Sequence, residues 1–178
     1  MSIYVQVDES MRVLQSFDLE GPAPDDSSVH EVTAHPVWTP PFAGAELHLQ
    51  NGELVWLDTR TLAQAQAQRW DEIKAERSAR EFGQFTWDGS TFDADDTSQR
   101  RIQGAVQLAV LAQMAGQGFS MDWTLADNSV RALDATDMTA VGVALGEHVA
   151  ALHETGRLLR QAIDQATTVA DVMAVVWP

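Results

Sequence analysis

FTWDGSTF, residues 85–92, is the stretch from which the fold of this chain is read. Phe85-Thr-Trp87 and Ser90-Thr-Phe92 flank Asp88-Gly89, and an Asp-Gly pair supplies the two positive-φ residues of a type I′ turn, the tightest way to join two twisted strands. The spacing therefore predicts a compact hairpin. Acidic residues lead out of it: Asp93, Asp95, Asp96 and Thr97 are candidate N-caps and complement the positive end of a helix dipole. A helix follows, carrying Ile102, Val106, Leu108, Ala109, Val110 and Met114 and stopping at Gly116 and Gly118.

Toward the C-terminus the order repeats. Strands around Met121–Leu125 and Ser129–Leu133 are joined at Asp127-Asn128, two residues that tolerate left-handed backbone. Asp134-Ala-Thr-Asp137 has the spacing of a capping box, with Asp in place of the usual Ser/Thr and Glu. The helix it opens should run to about Gln165. Met138, Leu145, Leu152 and Leu159 recur at heptad spacing, flanked by Val141, Val149 and Ile163, so one face of that helix is expected to pack against something long. Thr167 or Thr168 then starts a last short helix, Val169 to Val176. Hairpin then helix, twice, hints at a duplicated unit.

Toward the N-terminus, residues 61–82 are rich in Ala, Gln, Glu and Arg without Gly or Pro, which predicts a helix capped by Asp58, Thr59 or Thr61. Leu62, Trp70, Ile73 and Phe82 make no continuous stripe, so it reads as a solvated connector, with an oligomerisation stem as the other reading. Asn51-Gly52 marks a hairpin between Ala45–Gln50 and Glu53–Leu57. Ile3, Val5 and Val7 alternate with polar neighbours, and Met11–Phe17 is the expected return strand after an Asp8-Glu9-Ser10 turn. Residues 21–28 read as an exposed loop, and Pro36, Pro40 and Pro41 break the chain again. The fold class is α+β. A small β-rich adaptor module occupies residues 1–58 and the connecting helix 59–82; residues 83–178 form a domain of two β-hairpins packed with two long helices and a short terminal helix.

Charge restricts the partners. Against 26 Asp and Glu stand 11 Lys and Arg, Lys74 being the only lysine, for a net charge of -15. Nucleic acid and anionic membranes need clustered bases, and the densest group, Arg77, Arg80, Arg100 and Arg101, is interrupted by acids, so neither is an expected partner. The absence of cysteine excludes disulfides, thiolate catalysis and Cys-ligated metals. Residues 1–10 lack a basic start followed by an apolar core, and no window is apolar enough to span a bilayer. A cytosolic protein is expected, unless a larger particle carries it out.

Motifs for chemistry are missing: there is no GxSxG turn, no phosphate-binding GxxxxGK[ST] loop, no GxGxxG and no HExxH. His148 and His153, five apart on one helix, point about 140° apart around its axis and cannot easily share a metal. His30, His35 and His48 complete the histidines, all read as packing or surface residues, with His148 at a helix interface. The run Asp93-Ala-Asp95-Asp96 lacks the glycine and the bidentate Glu of a calcium loop and reads as turn and cap. No catalytic residue, cofactor or metal is expected. Trp87 and Trp123 belong in the core, whereas Trp38 and Trp56, with Phe42 and three prolines nearby, have little chain to bury them. Trp38, Phe42, Trp56 and Trp70 are the candidate partner-binding residues.

The strings Phe85–Phe92, Ser98–Val106, Trp123–Asn128 and Val141–Val149 together resemble the uncharacterised DUF4376-like domain of phage and prophage tail-region proteins, over roughly Ala67 to Trp177. That resemblance implies a tail-module role without catalytic residues. The expected function is a phage tail-fibre assembly chaperone that binds a fibre or baseplate chain in the host cytoplasm, the N-terminal part serving as adaptor. The other expectation is a structural virion component of the tail tip, baseplate or fibre, present as a homo-oligomer. An enzyme cleaving surface polysaccharide would need two carboxyl groups across a sugar-sized cleft, for which so small a β module offers no evident place.

Overall fold

The computed structural model describes residues 2–21, 25–41 and 44–178 and shows the α+β class. The chain divides into two compact units, Met1–Ala65 and Gln66–Pro178.

In the first unit, β1 (Ser2–Val7) is the centre of a three-stranded antiparallel sheet between β2 (Val13–Leu19) and β3 (Val29–Val32). A second sheet pairs β4 (Ala45–Gln50) with β5 (Glu53–Asp58) in register, and Asn51 and Gly52 take φ of 50° and 84°, the type I′ geometry expected of them. Val5, Val7, Val13, Val32, Leu47 and Leu49 form the core, a set of β-branched and leucine side chains suited to half-buried strands. Two expectations change here. β2 begins at Val13 and not at Met11, because Met11 turns left-handed with φ 65° and its carbonyl accepts the Leu49 amide at 2.9 Å. That corner ties the two sheets together. β3 lies in a segment where the sequence suggested no particular strand; Val29 and Val32 complete the sheet through pairing with β1.

The boundary between the units falls inside α1 (Leu62–Glu81), whose N-terminus is closed by reciprocal bonds: the Gln64 amide donates to Thr61 Oγ1 at 3.3 Å and the Thr61 amide to Gln64 Oε1 at 2.8 Å. β6 (Gln84–Trp87) and β7 (Ser90–Asp93) follow, turning at Asp88 and Gly89 with φ 45° and 71°. α2 (Asp96–Met114) is capped by Asp95, which accepts from the Thr97 and Ser98 amides. It ends in a Schellman motif: the Gln117 amide donates to the Ala112 carbonyl at 2.8 Å and the Gly116 amide to that of Gln113 at 3.0 Å, Gly116 taking φ 66°. β8 (Ser120–Thr124) and β9 (Val130–Asp134) pair next. Only Asn128 of their turn is left-handed, at φ 65°. Asp127 contributes through its carboxylate, which accepts from the Ser129 amide at 2.9 Å.

The capping box Asp134/Asp137 opens α3 (Ala135–Gln165), and Thr168 with Asp171 opens α4 (Val169–Ala174). The core of the second unit gathers Phe85, Phe92, Ile102, Ala105, Ala109, Leu133, Met138 and Val141 from both hairpins, α2 and the first half of α3. The rest of α3 meets α1. The Gln66 amide group donates to the Ile163 carbonyl at 3.0 Å, Glu81 lies 3.2 Å from His153 Nε2, and Ile73 is buried. From Gln66 onward the helix read as a solvated connector is thus part of the second unit. Its few apolar residues suffice because long polar side chains make the remaining contacts.

Candidate interaction surfaces

The four tryptophan and phenylalanine candidates separate. Trp38, in the proline-bounded stretch 36–41, is 48% exposed, and its neighbour Val37 is 72% exposed. Phe42 lies outside the described residues. Trp56 faces Leu47 across the β4–β5 ladder and packs on the first core, so the small module covers it better than its length suggested. Trp70 is half-buried on α1 with the Arg160 guanidinium of α3 5.2 Å from its ring centre. Trp87 and Trp123 pack on the second core as expected, the Trp87 and Phe92 rings meeting edge-on at 6.3 Å with the Arg131 guanidinium 4.7 Å from the Trp87 ring centre.

The histidines are used in packing. His148 Nε2–H donates at 3.2 Å to the Arg80 carbonyl near the end of α1, which also accepts the Gly83 amide at 3.3 Å, and its ring lies 6.1 Å from that of Phe85. This is the helix-interface role read from its position. His48 is buried and donates from Nδ1 to the Ser10 carbonyl at 3.1 Å. Its Nε2 sits 3.6 Å from a Glu46 oxygen, too far for a hydrogen bond, and remains without one. His35 lies 3.1 Å from Asp18 on the surface of the first sheet.

Carboxylates serve turns and caps. The Ser98 hydroxyl and amide hold the Asp95 carboxyl below its usual range, the Ser129 hydroxyl and amide do the same for Asp127, and the Thr168 hydroxyl does so for Asp171. Arg60 lowers Asp58 by a two-pronged contact within the first unit. Each shift favours the ionised form through hydrogen bonds, the reverse of what a general acid requires. Among the described residues no three His, Cys, Asp or Glu side chains are grouped as a metal would need. Nor is any described helix long and apolar enough to cross a membrane.

The largest feature that the sequence reading missed is on α2. Of the apolar residues read as its stripe, Ile102 and Ala109 are buried, while Leu108, Val110 and Met114 are exposed together with Leu111. Two grooves flank the helix. One, of about 540 Å³, runs along β8 and mixes Leu108 and Trp123 with Arg101, Asp93 and Asp122. The other, of about 620 Å³, lies between α2 and α3 and has no charged residue in its lining. Gly142 lets the two helices approach closely at its base: a Cβ there would come within 2.6 Å of Val106 Cγ2, so Val106 would have to shift. The available signal was the stretch from Gln103 to Met121, which contains no Asp, Glu, Lys or Arg.

Residues 64–176 match a protein family described as a domain of unknown function, DUF4376. Neither a curated protein nor a solved structure matches the chain.

Proposed function

Because the chain belongs to the DUF4376 family, by a match that covers more than half of its length, we propose that it works by binding another protein chain, as a phage tail-fibre assembly chaperone in the host cytoplasm. The carrying observation is the exposed pair Val37 and Trp38, held between Pro36 and Pro40 on the small β unit. A large aromatic side chain kept in water beside stiff proline backbone binds at little conformational cost, the character of an interface anchor. The carboxylates engaged in caps and turns agree with a role that needs no acid or base. The tail-fibre assignment draws on the resemblance of the 85–92 hairpin and the segments after it to the domain of phage tail-region proteins. The net charge of -15 suits a chain that keeps an aggregation-prone client in solution.

Co-expression with a tail-fibre chain, followed by pull-down, tests this. The full chain should co-purify with the fibre and raise its soluble fraction, and Trp38→Ala should weaken capture by about tenfold or more, as loss of an anchor does. Absence of any complex overturns the reading. A stoichiometric band of this chain in purified mature particles also overturns it, in favour of a structural component of the tail.

A further inference from the structure

We propose that the groove between β8 and α2 receives an extended segment of another protein chain as an added strand on β8, a segment in which apolar and basic residues alternate. The surface belongs to the second unit, and the inference depends neither on Trp38 nor on the fibre reading.

Backbone hydrogen bonding selects an extended occupant. The groove, about 540 Å³ and thus of ligand size, meets every residue from Met121 to Leu125. Successive side chains of a strand point to opposite faces, so a groove that touches five in a row runs along the strand's edge. One edge of β8 is taken by β9. The Leu125 amide donates to the Ser129 carbonyl at 2.8 Å, which sets the phase of that ladder: Met121 and Trp123 turn their amides and carbonyls toward β9, and Asp122 and Thr124 turn theirs outward. No described residue bonds those outward backbone groups. The next outward amide, that of Ala126, donates to the Thr91 carbonyl of β7 at 3.0 Å. A carbonyl from another strand thus already sits at one end of this edge, and the groups of Asp122 and Thr124 continue the row. Such a row is a template for a further extended backbone.

Side-chain chemistry selects the segment. Met121, Trp123 and Leu125 pack toward the core to which α2 contributes, so side chains of the added strand on that face meet α2. There α2 presents Gly104, Ala105 and Leu108. A Cβ on Gly104 would meet nothing within 4 Å, which leaves room for an apolar side chain. The alternate side chains of the added strand stand on the face of Asp122 and Thr124, where Asp122 pairs with no cation among the described residues. A lysine or arginine opposite Asp122 makes a favourable cross-strand pair. In the lining Asp93 and Asp122 outnumber Arg101, and the net charge of -15 draws a basic segment in from a distance.

The test uses the full chain and a capped octapeptide of alternating Val and Lys. The peptide should bind, more weakly as salt rises, and amide exchange at Asp122 and Thr124 should slow on its addition while Trp123, already paired with β9, is unchanged. N-methylation of every second peptide residue should abolish binding in one phase and spare it in the other, because an added strand offers only alternate amides to β8. Gly104→Val should weaken binding by about tenfold or more. Gly146→Val, an equal addition in the α2–α3 groove where a Cβ also meets nothing within 4 Å, should leave it unchanged. A peptide with Glu in place of Lys should not bind. No binding, binding without protection of Asp122 and Thr124, equal loss from both N-methylated series, or equal binding of the Glu peptide would each overturn the proposal.

Discussion

The two units solve the same problem by different means. In the second, both hairpins and both long helices share one core: β9 packs on α3, the helix it leads into, and β6 packs on α3 as well, Phe85 lying 6.1 Å from the His148 ring. Turn, strand, cap and helix are consecutive there, so each element is specified by its immediate neighbours before the core assembles. In the first unit six buried residues come from β1, β2, β3 and β4, and what joins them is a corner made of single interactions: the left-handed Met11, its carbonyl on the Leu49 amide, and His48 on the Ser10 carbonyl. The lesson is that elements built by their immediate neighbours are legible from residue order, while elements joined through one distant contact are not.

The strongest way to break this comparison is to hollow out each core in turn. Phe92→Ala should destabilise the second unit by about 3–5 kcal/mol and Leu47→Ala the first by about 2–5 kcal/mol, since both side chains are buried. Amide exchange followed residue by residue should show each loss confined to its own unit. Uniform loss of protection from either substitution would mean one cooperative fold and end the distinction.

A smaller effect tests the claim that caps specify the second unit. Asp134 accepts from the Thr136 amide at 2.8 Å and the Asp137 amide at 2.9 Å. Asp134→Ala should cost about 1 kcal/mol, read from the urea midpoint at constant m-value. No change in midpoint would mean that packing of α3 alone sets its start.

The smallest effect is on pH dependence. Asp95 and Asp127 have folded-state values held below the ordinary carboxylate range by Ser98 and Ser129. A depressed folded value gives stability that is fully present above the unfolded value near 3.8 and is lost as pH falls through the folded value. The urea midpoint should therefore be insensitive to these groups at neutral pH and drop in acid, and Asp95→Asn should shallow the acid drop. An identical acid limb in the variant would assign the loss to other carboxylates.

Much of the second unit was readable because its signals are short-range. Asp88-Gly89 fixed a turn, Asp134/Asp137 a helix start, and Gly116 a helix end, and each appears where its local geometry requires it. The candidate surface was less readable. Trp56 and Trp70 looked like exposed anchors, yet a facing strand and Arg160 cover them. Leu108, Val110 and Met114 looked like core, yet α2 is apolar almost all round in its second half, and periodicity cannot choose a face when every face is apolar.

By itself, then, the residue order determined the tight hairpin turns, the caps, the helix starts and an acidic net charge, because each depends on neighbours within a few positions or on composition alone. Tertiary structure decided which side of α2 stays in water, that α1 packs along α3 from Gln66 onward, and that Met11 turns a corner instead of starting a strand. Those outcomes depend on which distant groups compete for the same side chain or carbonyl, and that competition is settled only when the whole unit has packed.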